Sequence, residues 1–246
     1  MPGLGYSLSL RNRHGLLNAF SPLSLSPALW LDASDSATLF QSNGGAAASA
    51  DGDPVGYWMD KSGNGRHLTQ TSGINKPLLK LSVKNSRNGV QFNGTSAYLN
   101  MTSYTHGTSV TCFRVFQRTS SSVRSFTMTD NLANDGSIWW EYISKLYVFN
   151  AAKTFASTST DTRTGYFLAR STYTSTSDMA LWINGSSVAG SVSGTASSVL
   201  AWTLFCKAGS VYNSGNVCED IVIPSALSAN NIALMESYLN AKWAIY

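Results

Sequence analysis

From Ala28 onward, apolar and polar positions alternate with a period of two, the pattern of strands that bury one face. In GVQFNGTSAYLNM, Val90 and Phe92 share a face opposite Gln91 and Asn93, and Asn93-Gly94 stands where a tight hairpin turn is expected. MALWINGSSVAGSV repeats the arrangement: Met179, Leu181 and Ile183 share a face, and Asn184-Gly185 follows as the turn. Further strands are predicted at 110–117, 138–143, 146–150, 166–170, 199–206 and 217–223, each short and bounded by Ser, Thr, Gly or Asn. Such spacing predicts an antiparallel sandwich rather than βαβ units. One helix is predicted, in PSALSANNIALMESYLNAKWAIY, as a latch across the sandwich. Ser228 is placed to cap its first turn, Leu227 and Ile232 to form a hydrophobic staple, and Ile232, Met235, Leu239 and Trp243 to make an apolar stripe.

Residues 1–27 follow a different pattern. Tyr6, Leu8 and Leu10 alternate with serines, Arg11, Arg13 and His14 follow, and Pro22 and Pro27 interrupt the chain. This predicts an extended N-terminal arm at 1–27 ahead of one domain at 28–246. Such an arm either adds a strand to a neighbouring subunit, or folds back on its own domain or stays loose.

Composition narrows the function classes. The 246 residues are 43% hydrophobic and 12% charged, enough apolar material for a large core under a neutral polar surface. The net charge of +4 comes from basic residues scattered singly, whereas a nucleic-acid groove needs a concentrated stripe. No apolar run approaches the roughly 18 residues of a membrane span, and the first twenty or so residues lack the basic start and apolar run of a secretory signal. The chain is therefore expected to be made in the cytoplasm without membrane insertion. Cys112, Cys206 and Cys218 show no CxxC spacing; buried reduced thiols are expected, with a Cys206–Cys218 bridge as the alternative.

The segments ALWLDASD, VGYWMDKSGNGRHLTQ, GVQFNGTSAYL, ALWINGSSVAG and IVIPSALSANNIALMESYLNAKWAIY, in this order, resemble the concanavalin A-like, laminin G-like jelly roll of bacterial and bacteriophage proteins. The resemblance runs from about residue 26 to the end of the chain. It implies an all-β fold: a two-sheet antiparallel jelly-roll sandwich with one C-terminal helix, behind the extended arm. It also implies a concave face that often binds carbohydrate and, in some members, a calcium ion at its rim. The arm and the Ser/Thr/Gly-rich surface look like phage virion components such as head decoration, head fibre or tail adsorption proteins.

DKSGNG at 60–65 has its lysine before the glycines, which excludes a Walker loop, and no later glycine completes a dinucleotide fingerprint. Asp60, Ser62 and Asn64 alternate like the start of a calcium loop but lack the glycine and terminal acid of that pattern. Asp60 is therefore read as the acceptor of an Asx turn with Gly63, Asn64 and Gly65 shaping it; calcium ligation by Asp60 and Asp32 is the alternative, and no other cofactor is expected. The three glutamates, Glu141, Glu219 and Glu236, form no paired-carboxylate strand, the histidines are isolated and no nucleophile elbow is present. The expectation is that the chain is not an enzyme. In SIWWEYISKLYVF, Trp140 and Tyr142 share a strand face; either they form a sugar-stacking platform with Glu141, Asn131, Asn134 and Asp135 as polar partners, or they fill the core.

These readings combine into a structural virion protein that displays a lectin-like jelly roll with weak glycan affinity. Its arm would hold it to other capsid or tail proteins in a homo-oligomer, with a trimer expected, assembled in the host cytoplasm and exposed on the virion surface. Weak single-site affinity would be raised by repetition. The alternatives are a free, secreted carbohydrate-binding module whose partner is a cell-surface glycan and, third, a glycan-cleaving enzyme acting through Glu141 or Asp135.

Overall fold

A computed structural model describes residues 20–101, 104–105, 109–119, 128–129, 140–142, 145–150, 153–173, 179–194, 199–200, 203–204, 206–207, 211–212 and 214–246, with several of the short strands described by backbone alone. The chain is an antiparallel all-β sandwich with one helix near its C-terminus. Its main sheet has eight strands. In spatial order these are Ser186–Ser187, Met179–Ile183, Gly165–Tyr173, Val110–Arg118, Ser214–Ile223, Arg87–Asn93 and Leu78–Lys84. Leu29–Asp32 completes the sheet beside the second half of Ser214–Ile223, with Leu29 opposite Val222 and Asp32 opposite Glu219.

The sheet is covered on both faces, so its central strands are buried nearly throughout, as in Val110–Arg118. On one face, Cys112, Phe116, Ala169, Leu181, Val90 and Val222 pack with Leu39, Trp58, Leu68, Leu99, Leu146 and Phe155 from the short strands of the second layer. On the other, Phe113, Val115, Leu168, Ile221 and Ile223 pack against Met235, Leu239 and Trp243 of the helix Ala229–Trp243. The Ser228 side chain accepts from the Asn231 N–H and so satisfies one of the helix's otherwise unpaired donors. A buried pair breaks the apolar inner face: Asp220 lies opposite Arg114, whose Nε donates to both carboxylate oxygens at 3.1 and 3.3 Å. Arg114 Nη1 and Nη2 have no hydrogen-bond partner among the described residues. Burial pushes the Asp220 carboxyl up to about 6, with the guanidinium pulling against it.

Several local expectations are corrected. Asn93-Gly94 does not make a hairpin: the chain leaves the main sheet there and next pairs, as Leu99–Asn100, in another sheet. The Asn93 side chain carries that exit, its Oδ1 accepting from the N–H groups of Thr95, Ser96 and Ala97. Arg87–Asn93 instead forms a hairpin with Leu78–Lys84 through Asn85 and Ser86, both at positive φ (46° and 55°). Asn184 (φ 51°) and Gly185 (φ 74°) join Met179–Ile183 to Ser186–Ser187. The strand expected at 199–206 is broken into Val199–Leu200, Thr203–Leu204 and Cys206–Lys207, which lie in three separate sheets. Of the arm, Tyr6, Leu8, Leu10, Arg11 and Arg13 lie outside the described residues. From Phe20 the chain already packs on the domain, since Phe20 and Leu25 rest on the helix-side core. Cys112 and Cys218 are free, buried thiols, so the Cys206–Cys218 bridge does not form.

A carboxyl raised in the folded state makes its contribution to stability below its ordinary pKa and loses it as the pH rises through the raised value. The double variant Arg114→Met/Asp220→Leu should therefore gain stability relative to the parent as the pH rises from about 4 to about 6. Arg114→Met alone, which strands a buried carboxylate, should cost roughly 3–5 kcal/mol at pH 7. Urea unfolding of the three proteins across that range checks both.

Candidate functional site

Two concavities stand out among the described residues. The first is an open cleft of about 750 Å³ between the helix and the 32–35 loop, walled by Phe20, Ser34, Asp35, Lys61, Arg87 and Tyr238. Its floor is a row of alternating charges. Lys61 Nζ lies 2.7 Å from Asp35 and 2.9 Å from Asp32, and Lys242 Nζ lies 2.7 Å from Asp32 and 2.8 Å from Glu219. Glu219, fully buried, accepts four bonds: from Trp30 Nε1 (2.8 Å) and Tyr238 Oη (3.0 Å) on Oε1, and from Trp243 Nε1 (2.7 Å) and Lys242 on Oε2. Burial pushes Asp32 up, but Lys242, Ser34 and Lys61 outweigh it and hold the carboxyl below its ordinary range. Burial, and then the nearby Asp32, push Glu219 up against the pull of Lys242. This floor is saturated with bonds inside the protein, so it holds the helix on the sheet.

The second concavity is a polar cleft of about 410 Å³ at the rim, between Lys153–Ser157 and the segment after Ser186–Ser187. Its walls include Ser157, Ser159, Thr160, Thr162 and Ser187, with the Asp161–Arg163 pair among them. The loop 158–164 is fixed from inside the sheet. Arg118, at the end of the central strand and 2% exposed, donates through Nη1 to the carbonyls of Asp161 (2.8 Å) and Arg163 (2.6 Å). Ser157 Oγ accepts from the Leu146 N–H and donates to the Ser159 carbonyl, and Thr158 bonds to the Ala189 carbonyl through both its N–H and its hydroxyl. Gly190 lets this wall close, since a Cβ there would lie 2.3 Å from the Phe155 ring. Arg163 grips the Asp161 carboxylate through Nε and Nη2. Burial raises the Asp161 pKa, but these bonds to Arg163 outweigh it and leave the carboxyl below its ordinary range. The result is a prearranged set of hydroxyls, one carboxylate and one guanidinium, 53% exposed, suited to a ligand rich in hydroxyl groups.

Of the residues singled out in the sequence, Asp32 lies in the first cleft. Trp140, Glu141 and Tyr142 form a short strand paired with Lys145–Asn150, and their side chains, like Asn131, Asn134 and Asp135, lie outside the described residues. Asp60 accepts from the N–H groups of Trp30, Ser62 and Arg66 and from the Ser62 hydroxyl. Gly63 and Gly65 take positive φ beside it, and Asn64 donates to the Pro27 and Ala28 carbonyls. Asp32 is taken by two ammonium groups, which place positive charge where a calcium ion would sit. Among the described residues, no group of three or more His, Cys, Asp or Glu is arranged to hold a metal. Sequence reasoning missed both clefts, whose walls come from segments far apart in the chain and whose hydroxyls read as ordinary loop.

Comparison with protein-family models and with curated sequences finds no match. Solved structures do share the fold. The botulinum neurotoxin serotype D binding domain is similar at a TM-score of 0.54 and 11% identity, over 89% of this chain and 53% of that one. The binding domain of Paraclostridial Mosquitocidal Protein 1 is similar at 0.53 and 11%, over 78% of this chain and 52% of that one. Trypanosoma rangeli sialidase, in complex with 2,3-difluoro-KDN, is similar at a TM-score of 0.51 and 12% identity, over 90% of this chain and 38% of that one. The chain thus spans between about a third and a half of the proteins it matches. At these identities the likeness concerns the fold alone. The sialidase corrects the expectation that the chain is not an enzyme: the fold occurs in a chain named for an enzyme as well as in binding domains, and missing paired carboxylates do not separate the two.

Two substitutions probe the arrangement. Lys242→Met should cost roughly 3–5 kcal/mol in urea unfolding, because it leaves two buried carboxylates short of their cation. Asp32, held below its ordinary value, stabilises the folded chain above that value and stops doing so as the pH falls through the lowered one, so acid unfolding of Lys242→Met should begin at a higher pH than in the parent. Arg118→Met should release the 158–164 loop, seen as faster cleavage between these residues in limited proteolysis.

Proposed function

We propose that the chain is a glycan-recognition module that binds its ligand in the rim cleft beside the 158–164 loop. The observation that carries this reading is the hydroxyl-lined cleft whose loop backbone is held by the buried Arg118. Sugar recognition needs a few polar groups fixed before the ligand arrives, because a loop ordered only on binding would spend much of the affinity on its own ordering. The shared fold of two toxin binding domains, one from a neurotoxin and one from a mosquitocidal protein, supports a recognition role. In the narrower form of the proposal, the resemblance to phage proteins favours display on a virion. Residues 28–246 would then be the displayed domain, with the preceding arm as its attachment to capsid or tail proteins in a homo-oligomer.

The test is a glycan array probed with the full chain, biotinylated and clustered on streptavidin so that weak sites act together. Binding to a defined glycan set, reduced at least about tenfold by Asp161→Asn and by Arg163→Ala, is the expected result, since each removes a charged hydrogen-bonding partner. Mass analysis of the bound glycans after incubation reads whether they are also cleaved. A parent chain that binds no glycan on the array would sink the proposal.

A further inference from the structure

The chain holds five Asn-Gly pairs, beginning at Asn43, Asn64, Asn88, Asn93 and Asn184. Such a pair can modify itself, because glycine presents its backbone nitrogen to the preceding side-chain amide with no Cβ in the way. The fold restrains four of the five. Asn64 donates from Nδ2 to the Pro27 carbonyl at 2.9 Å, and to the Ala28 carbonyl and the Ser62 hydroxyl. Asn93 Oδ1 accepts from three N–H groups, and Asn184 Oδ1 accepts from the Leu168 N–H at 2.9 Å. Asn88 accepts from the Ser82 N–H, and both Asn88 and Gly89 lie inside the strand Arg87–Asn93.

Asn43 differs on each count. It stands in the exposed turn 42–45, and its side chain makes no hydrogen bond among the described residues. The turn is fastened at its base, where the Gln41 N–H donates to the Ala46 carbonyl and the Ala48 N–H to the Leu39 carbonyl. The Gly45 N–H reaches the Ser42 carbonyl, while the Gly44 N–H has no backbone partner among the described residues. Gly44 takes a φ of 70°, and no atom lies within 4 Å of where its Cβ would stand. The attacking nitrogen and the amide it would attack are therefore adjacent, open to water and tied to nothing else.

We propose that Asn43 is a site of self-modification, converted through a cyclic imide to a mixture of aspartyl and isoaspartyl residues. Hydroxide takes the Gly44 amide proton, the nitrogen bonds to Asn43 Cγ, and the Cγ–Nδ2 bond breaks as ammonia leaves. Water then opens the ring at either carbonyl. One opening restores the main chain and leaves a carboxylate on the side chain; the other routes the main chain through the side-chain carbon and frees the α-carboxylate. Either product adds one negative charge to a chain of net charge +4. Asn43 lines neither cleft, so the inference is independent of the glycan reading.

The experiment is incubation of the full chain in mildly alkaline heavy-oxygen water, with peptide mass mapping of all five sites over time. Asn43 should take up label at least about tenfold faster than each of the others, the factor that one hydrogen bond to be broken first adds to a barrier. The same peptide should become a substrate for an isoaspartyl methyltransferase, since direct hydrolysis of the amide yields the aspartyl form alone. In urea, where the fold no longer restrains the other four, the five rates should converge. Labelling at Asn43 no faster than elsewhere, or labelling there without any isoaspartyl product, overturns the proposal. A lead for Asn43 that persists unchanged in urea overturns it too, because the fold would then not be what selects the site.

Discussion

A single ammonium group, that of Lys242, ties together the outer layer of this protein. It sits in the last helical turn, where a cation also suits the helix dipole, and bonds at once to Asp32 in the first strand and Glu219 in the last. The two carboxylates stand opposite each other across the pairing of those strands. Burying them close together would be prohibitive without a cation between them. The indoles of Trp30 and Trp243 and the Tyr238 hydroxyl then satisfy the rest of Glu219. The main chain of the same turn is also held, since the Lys242 carbonyl accepts from Asn85 and Arg87 at the tip of a hairpin. Strand pairing, helix docking and the apolar stripe of the helix are thus parts of one arrangement, and the stripe fixes which face meets the sheet while the charges fix where along the sheet it stops.

The central sheet is squeezed from both sides, and that explains the two kinds of buried charge. Glu219 and Asp220 are neighbours in sequence and so project to opposite faces of one strand. The first meets the helix side and its lysine; the second meets the inner side and Arg114. Both carboxylates are fully buried, and each has a cation from an adjoining element. They differ in completeness: every oxygen of Glu219 is bonded twice, whereas the guanidinium facing Asp220 keeps unpartnered nitrogens among the described residues.

How much of this could be read from the chain depended on range. The helix was legible because its cap, staple and stripe lie within twenty residues and repeat at a helical period. The long strands Val110–Arg118 and Ser214–Ile223 were legible as apolar runs, though a bulge near Cys218 interrupts the register of the second. Two-residue strands such as Leu39–Phe40 and Tyr57–Trp58 are too short to show any period. Asn93-Gly94 misled because the asparagine amide makes the same turn signal whether it closes a hairpin or sends the chain to another sheet. The Asn85–Ser86 turn went unseen because it carries no glycine. Of the clefts almost nothing was legible: Glu219 meets Trp30 across 189 positions, and Arg118 meets its loop across more than forty.

Arg118 holds the rim loop by its carbonyl oxygens, groups that every residue possesses whatever its side chain. The anchor is therefore indifferent to the identity of Ser159, Thr160 or Thr162. Shape and selectivity are separately inherited at this rim: substitutions along the loop can redraw what the cleft recognises, one side chain at a time, while the backbone that presents them stays where the sheet has put it.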